Sequence, residues 1–252
     1  MTSVERVMAI TNLEAEPGYE TISVRPEQWP SNGEIKFTDV SLRYYPEGPR
    51  ALDNVNLNVA GRSKIGIVGR TGSGKSSIIT ALLRMPEAEG QITIDGVRLS
   101  ELNVQDSRKR IAVLSQDPVV FSGTVRMNLD PLGKHSDADL WDALEAVQMK
   151  HLVEGLQGKL SHTLTNRGMN LSVGEKQLIC LARVLLQGSK IVILDEPAAH
   201  IDPKTEQIIQ ETIRDRLVNS TVMTISHKLK AIEHCDKIVV MSRGQVMEEP
   251  DR

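Results

Sequence analysis

Residues 69–77 read GRTGSGKSS, preceded by the apolar run Ile65, Gly66, Ile67 and Val68 and followed by Ile78, Ile79, Leu82 and Leu83 at helical spacing. The stretch is therefore a loop between a strand and a helix. Gly69, Gly72, Ser73, Gly74, Lys75 and Ser76 fit G-x-x-x-x-G-K-[ST], the pattern of a phosphate-binding loop. Glycines leave backbone N–H groups free to point at phosphate oxygens, and the following helix adds its positive end. Lys75 is expected to neutralise the β and γ phosphates and the Ser76 hydroxyl to ligate Mg²⁺. An ordinary glycine turn before a helix is the plain alternative.

The 252 residues are 40% hydrophobic and 25% charged, a globular composition. With a net charge of −3 and scattered basic residues, no nucleic-acid footprint is visible. Cys180 and Cys235 are too few and too far apart for a zinc site or a disulfide framework, which fits a reducing compartment. No apolar run approaches the roughly 18 residues that cross a bilayer. The opening MTSVERVMAI lacks a signal-peptide pattern and reads as a helical lead-in. Residues 12–33, polar with three prolines and two glycines, are expected to form an extended linker, with the structured unit starting near Gly33.

Residues 35–44 and 52–59 alternate apolar and polar around a Pro46-Glu47-Gly48-Pro49 turn, which predicts an opening antiparallel sheet. Further strands are expected at 91–96 and 111–116. From Asp137 to Leu156, Leu140, Ala143, Leu144 and Val147 share one face, predicting a helical insertion that stands apart from the sheet. Ser172 is a good N-cap for a helix over 172–187, and Ile191 to Leu194 form a buried strand ending in Asp195 and Glu196. A helix at 203–216, a strand at 221–225, another helix and the strand KIVVMS (237–242) complete an α/β arrangement with a largely parallel core.

An acidic pair after a strand is more often a solvated strand end. Downstream of a phosphate loop it reads as chemistry, with Asp195 holding Mg²⁺ through water and Glu196 polarising the attacking water as general base. Between the two motifs lie Gln116 and LSVGEKQ (171–177); after them come AAHID (198–202) and TISHK (224–228). In this order the motifs resemble the nucleotide-binding domain of ATP-binding cassette (ABC) proteins, from residue 33 to the end.

That resemblance implies a P-loop NTPase core of the ABC ATPase type, α/β in class, with an antiparallel β-subdomain and an inserted α-helical subdomain at about 122–187. Residues 1–32 would be a lead-in helix and linker from a membrane domain and 33–252 the cassette, with ATP and Mg²⁺ as cofactors. It also implies roles. Tyr44 stacks on adenine, with Tyr45 one residue away as the other reading; Gly69, Thr71, Gly72, Ser73, Gly74, Lys75, Ser76 and Ser77 surround the phosphates. Gln116 senses Mg²⁺ and contacts the membrane domain, and His227 stands at the γ-phosphate beside Glu196 and Lys75. The metal set is Ser76, Gln116 and Asp195. Ser172 and Gly174 of the signature motif bind ATP held by a different domain, and Asp202 lies in the loop that crosses the dimer interface. Taken singly, these are a strand tyrosine, a surface histidine and an N-capped helix; order and spacing give them weight.

SVERV (3–7), GIVGRTGSGKSS (66–77), FSGTVRMNLDP (121–131) and SVGEKQLICLAR (172–183) resemble the C subfamily, the multidrug-resistance-associated type, and its second nucleotide-binding domain. In that pattern the second domain keeps its catalytic glutamate, here Glu196, while its signature departs from Leu-Ser-Gly-Gly-Gln at Val173 and Glu175. The expected partners are the first nucleotide-binding domain of the same transporter, or a weak homodimer in isolation, together with transmembrane domains and no nucleic acid. The location implied is the cytoplasmic face of the plasma membrane. Pro197 and His200 are similar instead to the chloride-channel branch of the subfamily, which keeps ATP-dependent gating as the alternative to powering export. The stretch from Gly69 to the signature has no sustained heptads, unlike DNA-repair members with a coiled coil there. The final VMEEPDR stops where relatives continue, so an excised fragment is expected.

Overall fold

The computed structural model describes every residue except 1, 23, 165–167, 169, 170, 200, 229, 230 and 249–252. His200 and the last four residues therefore lie outside the described part, as does a portion of the helix expected before residue 237. The chain opens with α1 (Ser3–Thr11), capped by a reciprocal bond pair between Thr2 and Glu5 and exposed along its whole length.

The segment between α1 and Gly33 is held more firmly than an extended linker. The Arg25 guanidinium donates to the Asp106 carboxylate at 2.7 and 3.1 Å and sits 5.8 Å from the Trp29 ring centroid. Trp29 is 2% exposed and donates its indole N–H to the Ile94 carbonyl at 2.8 Å. Asp95 then gathers the amides of Ser31, Asn32, Gly33 and Glu34 at 2.8 to 3.1 Å. Packing thus begins N-terminal of Gly33, because a buried indole and a carboxylate collecting four donors fix the segment.

Strand β1 (Ile35–Arg43) pairs antiparallel with β2 (Arg50–Val59), after which the chain runs through β3 (Lys64–Val68) into helix α2 (Lys75–Leu82). It returns as β4 (Glu89–Ile94) and β5 (Val97–Arg98), completing a four-stranded antiparallel sheet in the order β2-β1-β4-β5. Helix α3 (Val104–Arg108) leads to β6 (Ile111–Leu114); the strand expected to reach residue 116 stops two residues earlier, leaving Gln116 on a loop. Then come β7 (Gly123–Thr124), α4 (Val125–Leu129), α5 (Asp137–Ala146), α6 (Lys150–Glu154), β8 (Thr163–Leu164) and the long α7 (Val173–Gln187). The helix expected over 137–156 is broken into two, with Gln148 at φ +56° so that Val147 and Met149 on either side both turn inward. The remainder is β9 (Ile191–Asp195), α8 (Pro203–Arg216), β10 (Thr221–Ile225), β11 (Lys237–Ser242) and β12 (Gln245–Glu248).

The second sheet has the order β12-β11-β3-β10-β9-β6, parallel except at the β12 edge. Its central strands are continuous apolar runs because both faces are covered. Along β9, Ile191 and Ile193 face a core shared with Phe37, Leu52, Ile78 and Leu82, joining the antiparallel sheet and α2. Val192 and Leu194 face the opposite core, packed against Leu140, Leu144, Leu178, Leu181 and Ile209 of the helices. The helical segment reaches the sheet through α7: α4 and α5 pack on α7, which in turn packs on β6 and α8, and their apolar side chains join one core.

Burial pulls the Asp95 carboxyl up, but its four backbone amides outweigh that and hold it below the usual carboxylate range. A carboxylate with a depressed folded pKa stabilises the fold above about pH 4 and loses that contribution as pH falls through the folded value. Asp95→Ala is expected to lower stability by about 2–3 kcal/mol at pH 7 in urea unfolding. The gap from the parent chain should narrow as pH is lowered below the ordinary carboxylate value.

Candidate nucleotide-binding site

The register of the parallel sheet assembles the site. Ile67 of β3 pairs with Ile225 of β10, and Ile225 pairs with Asp195 of β9. The segments that leave these strand ends, Gly69 onward, Glu196 onward and Ser226 onward, therefore emerge side by side at the carboxyl edge, where ligands bind in open α/β sheets. Leu114 of β6 pairs with Leu194, which brings Gln116 to the same edge.

Gly74 is the N-cap of α2, at φ +103°, and no side chain caps the helix. A Cβ there would lie 2.8 Å from the Ala51 carbonyl, so only glycine lets the loop pass. Lys75 is 9% exposed and donates its ammonium to the carbonyls of Gly69 at 2.9 Å and Arg70 at 3.1 Å, drawing the loop around its own side chain. From behind, the Gly244 amide in the β11–β12 turn donates to the Ser73 carbonyl at 2.9 Å. Among the described residues the buried Ser73 hydroxyl has no partner.

A cavity of about 510 Å³ opens in front of the loop. Its walls are Tyr44, Thr71, Gly72, Gly74, Lys75, Ser76, Ser77, Gln116, Asp195, Glu196 and His227, with Ala51 and Ile225 added. Tyr44 rather than Tyr45 reaches the cavity, its hydroxyl 3.0 Å from the Ser77 oxygen, while the Tyr45 ring closes over Gly48. Gly69 and Ser73 instead line a neighbouring cavity of about 450 Å³ on the other side of the loop.

Burial raises the Asp195 pKa, the Glu196 charge raises it further, and Lys75 opposes both. Glu196 is held at φ +49° by its amide bond to the Ile225 carbonyl, 2.9 Å, a backbone conformation uncommon for a residue with a side chain. The turn aims its half-buried carboxylate at exposed His227, whose Nδ1 is 2.5 Å from Oε2. A serine hydroxyl, a glutamine amide oxygen and a carboxylate form an all-oxygen set that suits Mg²⁺. Among the described residues no trio of His, Cys, Asp or Glu is arranged to hold another kind of metal. The uncapped amides of α2 beside Lys75 suit a polyphosphate.

Ser172, Gly174 and Asp202 do not line this cavity. Ser172 caps α7: its hydroxyl accepts the Glu175 amide at 3.1 Å, and Glu175 accepts the Ser172 amide at 2.7 Å. That reciprocal box sets a carboxylate on the helix start expected to attract an anion. Gly174 packs α7 against α8, where a Cβ would come within 3.0 Å of Thr205. Asp202 caps α8 through the Thr205 hydroxyl at 2.6 Å and amide at 3.0 Å, and the hydroxyl bond leads in holding its pKa low.

A glycine loop and an acidic strand end at the carboxyl edge of a parallel sheet, with an antiparallel sheet and helices on opposite faces, define a P-loop nucleotide-binding domain. The model of the ABC transporter family matches residues 52–199, and the chain belongs to that family as an ABC ATPase domain. It is 45% identical over 248 residues to ATP-binding cassette sub-family C member 4 of Mus musculus, covering 98% of this chain and 19% of the relative. To sub-family C member 2 of Homo sapiens it is 43% identical, covering 98% and 16%. Among solved structures, a bacterial Atm1-family ABC exporter with ATP bound superposes with a TM-score of 0.89 at 26% identity, over 98% of this chain and 44% of that one. The chain thus spans under a fifth of the length of these curated relatives. No helix among the described residues is long and apolar enough to cross a membrane.

Because the folded state raises the Asp195 pKa, its ionised form is a liability to the fold at neutral pH. Asp195→Asn is expected to raise the nucleotide-free unfolding midpoint by a few degrees, about 1 kcal/mol moving a domain of this size by about 2–4 °C. The same variant should lose the gain in ATP affinity that Mg²⁺ confers. Thermal unfolding and calorimetric titration check the two halves.

Proposed function

We propose that this chain is the Mg²⁺-dependent ATPase cassette of a C-subfamily exporter, occupying the second nucleotide-binding position and working at the cytoplasmic face of a membrane. The observation that carries the reading is the Glu196–His227 contact of 2.5 Å in the same cavity as Lys75, Ser76 and Asp195. That cavity combines the binding and the chemical parts of phosphoryl transfer. The identity to sub-family C members supports the subfamily, and the likeness to an exporter supports the transport role.

In this mechanism Tyr44 stacks on the base, and the backbone amides of residues 72–76 receive the phosphates. Lys75 turns from the Gly69 and Arg70 carbonyls to the β and γ phosphate oxygens. Mg²⁺, held by Ser76, Gln116 and Asp195, would supply positive charge to the oxygens on which charge develops. Glu196 orients a water in line with the γ-phosphorus and takes its proton as the P–O bond to the departing ADP breaks. His227 fixes the Glu196 carboxylate and lies on the γ-phosphate side.

Ser172 and Gly174 stand away from this cavity and serve ATP bound by a partner cassette, with Asp202 at the shared interface. Val173 is 50% exposed at the start of α7, and the Glu175 carboxylate sits on the same helix end. Bulk and negative charge both oppose a phosphate there, so this signature serves the weaker of two unequal sites.

Steady-state hydrolysis measured against protein concentration tests the proposal. Specific activity should rise with concentration as cassettes pair, and Glu196→Gln should lower it by at least about a hundredfold, the scale of a lost general base. Turnover unaffected by that substitution would remove Glu196 from the reaction. Glu175→Gln preserves the capping box while discharging it. In a Glu196→Gln background it should strengthen ATP-dependent self-association severalfold in sedimentation velocity.

A further inference from the structure

Helix α7 does more than present its N-terminus. Along one side it carries Gln177, Cys180, Arg183 and Gln187, at helical intervals of three, three and four, and each contacts a main-chain carbonyl of the segment around β6. Gln187 donates to the carbonyls of Lys109 at 3.2 Å and Ile111 at 3.4 Å, at the entrance to β6. Cys180 and Arg183 both reach the Val119 carbonyl, at 3.7 and 2.5 Å, and Arg183 also bonds Asn128 and lies 5.4 Å from the Phe121 ring. Gln177 donates Nε2–H to the Ser115 carbonyl at 3.1 Å, at the exit.

Gln177 is the odd member. It is 2% exposed, makes one hydrogen bond to the described residues, and its buried Oε1 has no partner among them. An unfilled buried carbonyl oxygen is a standing penalty that a leucine at this position would remove, so stability alone does not call for glutamine here. Its one bond goes to a consequential acceptor. The Ser115 C=O and the Gln116 N–H belong to the same planar peptide unit, so fixing one fixes the other and places the Gln116 Cα from which the side chain starts. Ser115 follows Leu114, which pairs with Leu194 beside Asp195, and Gln116 lines the cavity.

We infer that Gln177 is a positioning residue for Gln116: from the signature helix it sets the peptide plane that carries the Gln116 amide toward the metal position. The inference rests on the reading of Gln116 as an Mg²⁺ ligand. It also ties the two ends of α7 together, since the helix that offers Ser172 to a partner's nucleotide holds the metal-sensing loop of its own. A displacement of α7 on engaging the partner would reach Gln116 most directly through this bond, which lies on the peptide adjoining it.

The test uses the whole chain and equilibrium ATP binding measured twice, with Mg²⁺ and with a chelator, so no turnover is needed. The ratio of the two affinities reports the metal contribution. Gln177→Leu is expected to lower that ratio by about tenfold, the low end of what losing an outer-shell partner costs a metal site. Chelated ATP affinity should stay within about twofold, and the unfolding midpoint should be unchanged or higher. Gln116→Ala should lower the ratio as much, and the double variant no further, because one residue acts through the other. Gln177→Met, a flexible apolar side chain, serves if the leucine variant folds poorly. A full Mg²⁺ effect in both Gln177 variants, with a reduced one in Gln116→Ala, overturns the inference alone. An unchanged ratio in Gln116→Ala overturns the assignment of Gln116, and the inference with it.

Discussion

Everything in this domain depends on where the backbone of residues 69–74 is held. The loop runs between two other segments at main-chain distance: Gly74 passes the Ala51 carbonyl with no room for a side chain, and Ser73 accepts the Gly244 amide at 2.9 Å. Gly244 in turn accepts the Asp53 amide at 2.9 Å, and Gln245 donates to the Asp53 carboxylate at 3.0 Å. The antiparallel sheet and the last hairpin of the parallel sheet therefore meet on the back of the loop. Donors fixed before ligand arrives need not reorganise when charge develops, which is the main source of catalytic power in phosphoryl transfer.

From that fixed point the remaining chemistry is placed by strand register. Two parallel pairings, Ile67 with Ile225 and Ile225 with Asp195, suffice to bring a lysine, a carboxylate pair and a histidine from three distant parts of the chain to one rim. The arrangement has a cost that can be located. Asp195 is half-buried beside Glu196, and Glu196 occupies a left-handed backbone conformation. Both are features that selection for folding alone would avoid, and both face the cavity.

Much of this was legible in the sequence because it is local. The glycine loop, the apolar strand before Asp195 and the cap at Ser172 are written in neighbouring residues, and the ABC fold class followed from their order. Illegible were the features made by distant contacts. Trp29 and Asp95 bind the supposed linker to the antiparallel sheet across more than sixty residues of separation, as the indole bond to Ile94 illustrates. The Arg243-Gly244 turn braces the loop through a contact between residues far apart in the chain, which no local pattern marks. The helices between Val125 and Gln187 carried an apolar face, but periodicity cannot say whether it meets another helix or the sheet: α5 meets α7, and α7 meets β6. Gln177 left a faint signal: a polar residue among Leu178, Leu181 and Ala182 on the buried side of a helix.

The most direct test locates the metal itself, in a crystal structure of the Glu196→Gln variant with Mn²⁺ and ATP, using the anomalous signal of manganese. The ion is expected in direct contact with the Ser76 hydroxyl and the Gln116 amide oxygen, with Asp195 in its outer sphere and the triphosphate on the amides of residues 72–76. An ion bound elsewhere, or a triphosphate that leaves those amides untouched, would contradict the assignment of this cavity as the catalytic site.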